Sequence, residues 1–264
     1  MYLTADLGNS RLKLALWPAS ADAGPGAPAV EPARVWTARA DDLAQGAGGA
    51  FAPPFAGVFL GSVADEARTG ELAERLAALT GRLEVDPASG LENATRAPET
   101  VGRDRLFAAR AALALAPAGA LVVDVGTALT VDAVVPGAEG PFAGRFLGGA
   151  IAPGVELGAR ALADHTARLP RVEPRPGARA LGRDTPEALV AGLVVGLRGA
   201  ARELVAEVGR EAGLAAAPVF LTGGARDYLL RPAPLFPPER LRVDPALVHR
   251  GLLLAGLARG EEGA

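Results

Sequence analysis

The sequence predicts an α/β fold built from two similar halves. Short apolar strands alternate with amphipathic helices along the chain, which is the pattern of α/β domains. A weak internal repeat relates residues 3–10 to residues 122–128, because each segment contains a short strand, an Asp-x-Gly turn and the start of a second strand. The repeat predicts that each half opens with a β-hairpin whose tip carries Asp and Gly.

Local periodicity predicts the individual elements. Short β runs cover residues 121–123 and 219–221, and a helix is predicted over 104–116. Residues 187–208 form the most periodic stretch, and a final helix covers 247–258. The apolar stripe of the periodic stretch consists of Leu189, Leu193, Leu197, Ala201, Leu204 and Val208. Segments rich in Pro, Gly and Ala are predicted to be loops, and they are 18–33, 170–180 and 231–238.

Composition and charge exclude several classes of function. The 264 residues include 27 Lys and Arg against 30 Asp and Glu, so the formal net charge is −3. This balance argues against binding to nucleic acid or to an anionic membrane through bulk positive charge. The sequence has no cysteine and only 2 histidines, which excludes thiol nucleophiles, iron–sulfur clusters and zinc sites rich in Cys or His. Because no secretory leader and no membrane-spanning apolar run is found, we expect a cytoplasmic protein.

A single lysine distinguishes the first hairpin. Lys13 is the only lysine among the 27 basic residues. In a chain this rich in Arg, the retained Lys indicates either a place that needs a compact ammonium charge or an accident of composition. Leu12 precedes Lys13, so the Gly-Lys-Ser/Thr of a Walker A loop is missing, and no G-x-G-x-x-G supports a dinucleotide-binding fold.

The two Asp-x-Gly hairpins have the residues of a phosphate-binding site. Glycine lets a turn approach a phosphate closely, and the backbone N–H groups of residues 8–10 would point at the anion. Asp6 or Asp124, at the strand ends, could hold a hydrated cation against the phosphates, and Lys13 could bind phosphoryl oxygens. The alternative for each Asp is an Asx turn that only closes its hairpin.

The segment Gly102-Arg103-Asp104-Arg105 begins the first predicted helix. An Asp near a helix N-terminus is commonly a cap or a partner of the helix dipole. A carboxylate flanked by Arg can also accept a proton from a substrate alcohol, while Arg binds a substrate carboxylate or phosphate. The residues alone leave both roles open for Asp104.

Further segments could lie near a ligand. Residues 222–224, Thr-Gly-Gly, follow a β run and could let a purine lie against the backbone, or they could be an ordinary strand-to-helix turn. Thr185 precedes Pro186, so we expect it to cap a helix, where its hydroxyl could also touch a ligand. Residues 148–154 are predicted to form a glycine-framed turn close to the second hairpin, and His165 is predicted to be structural or on the surface.

These motifs, in this order, resemble those of the type III pantothenate kinases, whose superfamily includes acetate and sugar kinases, actin and the chaperone ATPases. Residues 6–13 are similar to the first phosphate motif of that family, 102–105 to its substrate motif and 124–127 to its second phosphate motif. Residues 148–154 are similar to its Gly-Gly-x-Ile-x-Pro-Gly turn, and 222–224 to its adenosine motif. The resemblance extends over nearly the whole chain.

The resemblance implies two ribonuclease-H-like halves, as in the actin-like ATPases, with the active site in the cleft between them. The halves would cover residues 1–117, with the first phosphate motif and the substrate motif, and residues 118–264, with the second phosphate motif and the adenosine motif. It also implies a homodimer with the substrate pocket near its interface.

The activity implied is the ATP-dependent phosphorylation of pantothenate to 4'-phosphopantothenate, the first step of coenzyme A biosynthesis. Asp104 would be the general base, and Asp6 and Asp124 would bind Mg²⁺ and a monovalent cation such as K⁺ or NH₄⁺. The residues implied in ATP binding are Asp6, Leu7, Gly8, Asn9, Ser10, Arg11, Leu12, Lys13, Thr127, Gly223 and Gly224. The residues implied in pantothenate binding are Gly102, Arg103, Asp104, Arg105 and Thr185.

One departure from the family pattern concerns the substrate. Thr95 stands where the family often has Tyr, so an aromatic contact to pantothenate would be lost. Two alternatives stay open: a kinase for another hydroxy acid or a sugar on the same scaffold, and a non-catalytic nucleotide-binding accessory or regulatory relative. Intact Asp6, Asp104 and Asp124 argue against the second, because a binding-only protein needs no base. The net charge of −3 argues against a DNA-binding regulator.

Overall fold

The computed structural model describes residues 1–8, 11–22, 30–38, 55–137 and 143–261. Contacts divide the chain into two compact units. The first unit consists of Met1–Leu115, Pro136–Phe146 and Ala246–Ala264, and the second of Ala116–Val135 and Leu147–Pro245. The carboxyl-terminal segment thus belongs to the first unit, whereas the predicted division placed all of 118–264 in the second half. Among the helices of the described ranges, none is long and apolar enough to cross a membrane.

The strands and helices of the described residues follow one another along both units. The strands are β1 (Tyr2–Leu7), β2 (Leu12–Trp17), β3 (Arg34–Ala38), β4 (Gly57–Ser62), β5 (Leu83–Val85), β6 (Leu91–Asn93), β7 (Ala120–Val125), β8 (Ala128–Pro136), β9 (Gly144–Pro153), β10 (Val219–Thr222) and β11 (Leu241–Val243). The helices are α1 (Glu66–Ala77), α2 (Arg103–Leu115), α3 (Val155–His165), α4 (Thr185–Glu211), α5 (Asp227–Leu230) and α6 (Leu247–Glu261). The three predicted helices correspond to α2, α4 and α6.

The first unit is built on a mixed five-stranded sheet with β1 in its centre. β1 is antiparallel to β2 and parallel to β4, and all six residues of β1 are buried. β3 extends the sheet beyond β2 and β5 extends it beyond β4, so the strand order is β3-β2-β1-β4-β5. β6 pairs in parallel with the first residues of β9.

Helix α6 packs against both β1 and α2 within the first unit. The contact with α2 involves the backbone, because a Cβ at Gly251 would overlap the carbonyl oxygen of Phe107. Glycine at this position is what lets the two helices approach so closely. The same helix therefore locates the strand that carries Asp6 and the helix that carries Asp104.

The second unit repeats the strand order of the first. β7 is antiparallel to β8 and parallel to β10, and β10 is parallel to β11. Five of the six strands of this sheet follow one another in the order β9-β8-β7-β10-β11, which matches β3-β2-β1-β4-β5 position by position, and β6 is the sixth strand, beside β9. Asp6 and Asp124 are each the penultimate residue of the central strand. The predicted fold class of two similar ribonuclease-H-like α/β halves is confirmed.

Helix α4 covers the sheet of the second unit with a buried face that differs from the predicted stripe. Leu197 and Ala201 are buried as predicted, whereas the other four members of that stripe are only half-buried. A four-residue spacing advances about 400° around a helix, so such a stripe drifts off one face within a few turns. The buried residues follow the mixed spacing of Ala191, Val194, Leu197, Ala201, Val205 and Gly209.

Candidate active site

The first hairpin brings Asp6 and Lys13 together. The register of β1 and β2 places Asp6 directly opposite Lys13, so both side chains emerge on the same face of the sheet. Lys13 Nζ lies 3.6 Å from Asp6 Oδ2. The backbone N–H of Gly8 donates to the carbonyl oxygen of Arg11 at 3.0 Å and narrows the turn. Asn9 and Ser10, which were predicted to bind phosphate here, lie outside the described residues.

Asp6 is a buried carboxylate that is influenced by one positive neighbour, Lys13, and one negative neighbour, Asp104. Burial raises the pKa of Asp6, the ammonium of Lys13 lowers it, and the negative charge of Asp104 raises it again. Lys13 and Asp104 are therefore both close enough to Asp6 to influence the charge of its carboxylate. Two carboxylates beside one ammonium form a site with surplus negative charge.

The chemistry of these two carboxylates is compatible with a magnesium ion that also binds phosphate. Mg²⁺ is usually held by one or two carboxylates together with substrate phosphate oxygens and waters. Within the ranges that the structure describes, no three His, Cys, Asp or Glu side chains form a metal-binding group. Asp6 supplies the buried carboxylate, and Asp104 is the second carboxylate in range.

Asp104 lies in the first turn of α2, and Gly102 makes room for it. The backbone N–H of Arg105 donates to Asp104 Oδ1 at 2.9 Å. A Cβ at position 102 would lie 2.5 Å from the same oxygen, so any side chain there would displace the carboxylate. This contact is a physical reason for the Gly-x-Asp spacing of the motif. The positive end of the helix dipole also favours a negative charge at this position.

A cavity of about 610 Å³ adjoins the start of α2 within the first unit. Arg103 is exposed and lines the cavity together with Ser89 and Asn93. Thr95, which replaces the usual Tyr, donates through its hydroxyl to Asn93 Oδ1 at 2.8 Å. Arg105 has a different environment, because its guanidinium lies over the ring of Phe146 at 5.4 Å. The two arginines of the motif are therefore not equivalent.

The second hairpin has the same Asp position but a shorter turn. Asp124 faces Thr130 on β8, and the N–H of Gly126 donates to the carbonyl oxygen of Ala128 at 2.8 Å. Thr127 is exposed at the tip, whereas Asp124 is half-buried. A tight turn with a glycine and an exposed hydroxyl is open to an anionic ligand.

Two further glycines bring neighbouring segments against this turn. Gly223 has φ +94°, and a Cβ there would overlap Asp124 Oδ1. The N–H of Gly154 donates to the carbonyl oxygen of Thr127 at 3.0 Å, and a Cβ on Gly154 would overlap the carbonyl oxygen of Gly126. The second phosphate motif, the adenosine motif and the end of residues 148–154 therefore meet at one end of this sheet.

Two local expectations for the second unit are wrong. Residues 148–153 are the end of β9 rather than a turn, and their glycines let β9 approach β8, since a Cβ at Gly149 would overlap the carbonyl oxygen of Val131. Thr185 was expected to cap α4, but the N-cap is Asp184, one residue earlier, and Thr185 is the first residue of the helix. The side chain of Asp184 accepts a hydrogen bond from the N–H of Glu187 at 2.8 Å. Thr185 instead lines an open apolar groove of about 420 Å³ beside α3 and α4.

No role for His249 was predicted from the sequence. His165 was predicted to be structural or on the surface, and it is exposed. His249 is buried on α6, and its Nδ1 lies 3.0 Å from the hydroxyl oxygen of Thr4. The sequence contains one signal for this contact. Thr4 is a polar residue two positions before Asp6 in a strand of otherwise apolar residues, so it lies on the same face as Asp6.

Comparisons with known proteins agree with this geometry. Residues 2–207 match the family model of type III pantothenate kinase. A type III pantothenate kinase from Thermus thermophilus is 41% identical over 189 residues, which cover 71% of this chain and 70% of that protein. One from Halorhodospira halophila is 41% identical over 176 residues, which cover 64% of this chain and 60% of that protein.

A solved structure from Campylobacter jejuni, of a protein assigned to the Baf family of transcriptional activators, shares the fold. It aligns with 99% of this chain and 100% of its own at a TM-score of 0.59 and 17% identity. The family model includes the first phosphate motif, the substrate motif and the second phosphate motif within its 2–207 range. The chain belongs to the type III pantothenate kinase family.

Proposed function

We propose that this ATP-dependent pantothenate kinase of coenzyme A biosynthesis uses Asp104 as the general base for phosphoryl transfer. The observation that supports the proposal is the grouping of Asp6, Lys13 and Asp104 in the first unit. Phosphoryl transfer requires little covalent chemistry from the protein, so positioning and electrostatic stabilisation dominate catalysis. Asp104 would supply the proton acceptor for this reaction, Lys13 a positive charge for the phosphates and Asp6 a ligand for a cation.

Asp104 would accept the proton of the pantothenate hydroxyl as its oxygen attacks the γ-phosphorus. A new O–P bond then forms, the bond from the γ-phosphorus to the bridging oxygen breaks, and ADP leaves. The N–H of Arg105 holds one oxygen of the carboxylate, which fixes its orientation. A base within hydrogen-bond reach of the attacking hydroxyl accelerates such a step typically by about 10²- to 10⁴-fold.

Arg103 would bind the carboxylate of pantothenate. Its exposed guanidinium lines the cavity next to α2, and Arg is suited to bidentate recognition of a carboxylate. Asn93 and Thr95, joined by a hydrogen bond, would offer polar groups to the substrate in place of the usual aromatic ring. The other residues that we propose to bind pantothenate are Gly102, Arg105 and Thr185.

ATP would bind through the two hairpins and the adenosine motif. In the first hairpin we assign this role to residues 6–13, with the Lys13 ammonium on phosphoryl oxygens. In the second unit we assign it to Thr127, Gly223 and Gly224, since Gly223 packs directly against Asp124 and the space beside Gly224 is open.

Two cations are part of the proposal. Asp6 would hold Mg²⁺, which when bound supplies positive charge to the phosphate groups. Asp124 would help bind a monovalent cation, K⁺ or NH₄⁺, with backbone carbonyl oxygens of the adjoining turn as its natural partners.

We also propose that the protein is a cytoplasmic homodimer. The second unit exposes large apolar side chains, with Leu181 at 79% and Ile151 at 63% exposure. Exposed apolar side chains of this size are typical of surfaces that become buried in an assembly. Size-exclusion chromatography with light scattering would test this part of the proposal, and a monomer at micromolar concentration would contradict it.

The decisive experiment is phosphorylation of pantothenate by the purified protein with ATP and Mg²⁺, in K⁺ and again in Na⁺. Asp104→Asn keeps the shape of the side chain but removes the proton acceptor, so turnover should fall by about 10²-fold or more while the circular dichroism stays unchanged. Asp65→Asn is the matched control, because it makes the same chemical change at the N-cap of α1 in the same unit. Near-normal turnover of Asp104→Asn would remove Asp104 from the role of base.

A further inference from the structure

The turn that follows β10 contains an arginine whose guanidinium is bound to the backbone of the same turn. Arg226 is half-buried, and its Nη1 donates to the carbonyl oxygen of Gly223 at 3.0 Å. A guanidinium has five donors and usually pairs with a carboxylate or a phosphate. Here it holds one backbone carbonyl, so it fixes the direction of a single peptide group, the one between Gly223 and Gly224.

This peptide group lies between two anchored points of the second unit. Gly223 packs against the end of β7, since a Cβ there would lie 2.4 Å from Asp124 Oδ1 and 2.3 Å from the carbonyl oxygen of Val125. The N–H of Ala225 donates to that same carbonyl oxygen at 2.9 Å. Both ends are therefore held, whereas the peptide itself has a glycine on each side and can rotate at little steric cost.

The bond to Arg226 determines which way the N–H of Gly224 points. The peptide is trans, so its C=O and N–H groups point in opposite directions. Because the guanidinium holds the carbonyl of Gly223, the N–H of Gly224 points away from Arg226. Gly224 is exposed, and its N–H has no acceptor within the part of the chain that the structure describes. An open N–H group of fixed direction is a suitable donor to an oxygen of an anionic ligand.

We propose that Arg226 is a positioning residue for nucleotide binding. Its guanidinium holds the carbonyl of Gly223, so that the N–H of Gly224 is presented to an oxygen atom of ATP. Without this bond the peptide can turn and present its carbonyl oxygen instead, which cannot donate to an oxygen of the nucleotide. This role deepens the assignment of Gly224 to ATP binding and rests on that proposed function.

Other contacts hold α5 and its surroundings independently of Arg226. Arg198, on α4, donates to three carbonyl oxygens at and beyond the end of α5. They belong to Tyr228 at 3.0 Å, Arg231 at 2.8 Å and Ala233 at 2.9 Å. We therefore expect Arg226→Met to unfold near the wild-type temperature, because it frees the peptide next to Gly224 and leaves these anchors in place.

Calorimetry with a non-hydrolysable ATP analogue tests the proposal without requiring turnover. Arg226→Met should weaken binding about tenfold, the effect expected for the loss of one hydrogen bond. Arg226→Lys should recover part of that loss, because an ammonium can also donate to the Gly223 carbonyl. Arg242→Met is the matched control, since Arg242 belongs to the same unit and donates to the carbonyl oxygen of Leu241 at 3.0 Å. Wild-type affinity in Arg226→Met would overturn the proposal.

Nuclear magnetic resonance separates positioning from a simple loss of positive charge. In protein labelled with ¹⁵N-glycine, the amide signal of Gly224 is assigned by its absence in Gly224→Ala. Saturation with the analogue should move this amide proton downfield in the wild type, because the N–H forms a hydrogen bond. The shift should be lost in saturated Arg226→Met. An equal shift in both proteins would show that Arg226 acts only through its charge, and no shift in the wild type would show that Gly224 does not donate; either result would overturn the proposal.

The kinase assay adds a comparison of KM with kcat. Arg226→Met should raise KM for ATP about tenfold and leave kcat and KM for pantothenate near the wild-type values, because the bond is already made in the bound substrate. A loss confined to kcat would overturn the positioning role. If the wild type binds the analogue but does not phosphorylate pantothenate, the proposed function fails, while the calorimetry and the Gly224 signal still decide the role of Arg226. A wild type that binds no analogue would overturn both.

Discussion

The burial of His249 predicts a loss of stability in acid that one substitution should remove. Burial lowers the pKa of His249 from 6.5 to about 3, and the positive charge of Lys13 acts in the same direction. The unfolded chain takes up this proton near its ordinary pKa, whereas the folded chain does not. The contribution of His249 to stability is therefore complete above pH 6.5 and decreases as the pH falls toward the folded pKa.

The expected magnitude at pH 5 follows from the gap between that pH and the unfolded pKa. Linkage gives a loss of about 2 kcal/mol between pH 7.5 and pH 5, a large fraction of the free energy of unfolding of an ordinary domain. Asp6 contributes with the opposite sign, because its raised pKa favours the folded state when it becomes protonated. The quantity that isolates His249 is therefore the difference between the wild type and His249→Leu.

Urea unfolding followed by tryptophan fluorescence measures this difference, since Trp17 and Trp36 both belong to the first unit. We expect the stability of the wild type relative to His249→Leu to shrink by about 2 kcal/mol from pH 7.5 to pH 5. His165→Leu, which alters the exposed histidine, serves as the matched control. Parallel stability curves for the wild type and His249→Leu over this pH range would refute the reasoning.

Three glycines give further predictions, because a Cβ at each would collide with a named group. Gly251→Ala should lower the free energy of unfolding by about 3 kcal/mol, since it forces α6 from the backbone of α2, and a wild-type melting temperature would contradict this. Gly223→Ala should weaken the binding of a non-hydrolysable ATP analogue about tenfold. The new Cβ would overlap the Asp124 carboxylate, and the left-handed φ of Gly223 is strained for alanine. An unchanged affinity measured by calorimetry would contradict this prediction. Gly102→Ala should lower kcat about 100-fold by displacing Asp104, with less effect on KM for ATP, and equal kcat values would show that the carboxylate tolerates the shift.

The two hairpins could be predicted because their signals are local. Each has an apolar strand followed at once by Asp-x-Gly, and the register confirms the equivalence of Asp6 and Asp124. β9 was not predicted, because its glycines weaken the pattern of a strand. These glycines allow close contact with the neighbouring strand, as at Gly149 beside Val131. A contact between distant segments cannot be recognised from the local sequence pattern.

The part of the candidate site that depends on α6 could not be predicted from the sequence. The residues that join this helix to the hairpin are separated by nearly the whole chain, as Thr4 and His249 are. A pattern search evaluates neighbours in sequence, and a buried His with a buried Thr has no fixed spacing that such a search could find. The Gly102–Asp104 contact differs, because its two residues belong to one motif and their spacing carries the geometry.

The two hairpins repeat one backbone arrangement but differ in the residue that faces the Asp, and this difference offers a physical reason for a lysine at position 13. In the first hairpin the residue opposite Asp is Lys13, and in the second it is Thr130. In the proposed ATP site, a phosphate at the first hairpin would meet an ammonium, whereas the second hairpin would offer a hydroxyl and backbone N–H groups. The guanidinium of Arg is planar and larger than an ammonium, so an arginine at position 13 would not place its charge at the same point, 3.6 Å from the Asp6 carboxylate. The pairing of β1 and β2, which sets Lys13 opposite Asp6, therefore works against an exchange of Lys13 for Arg.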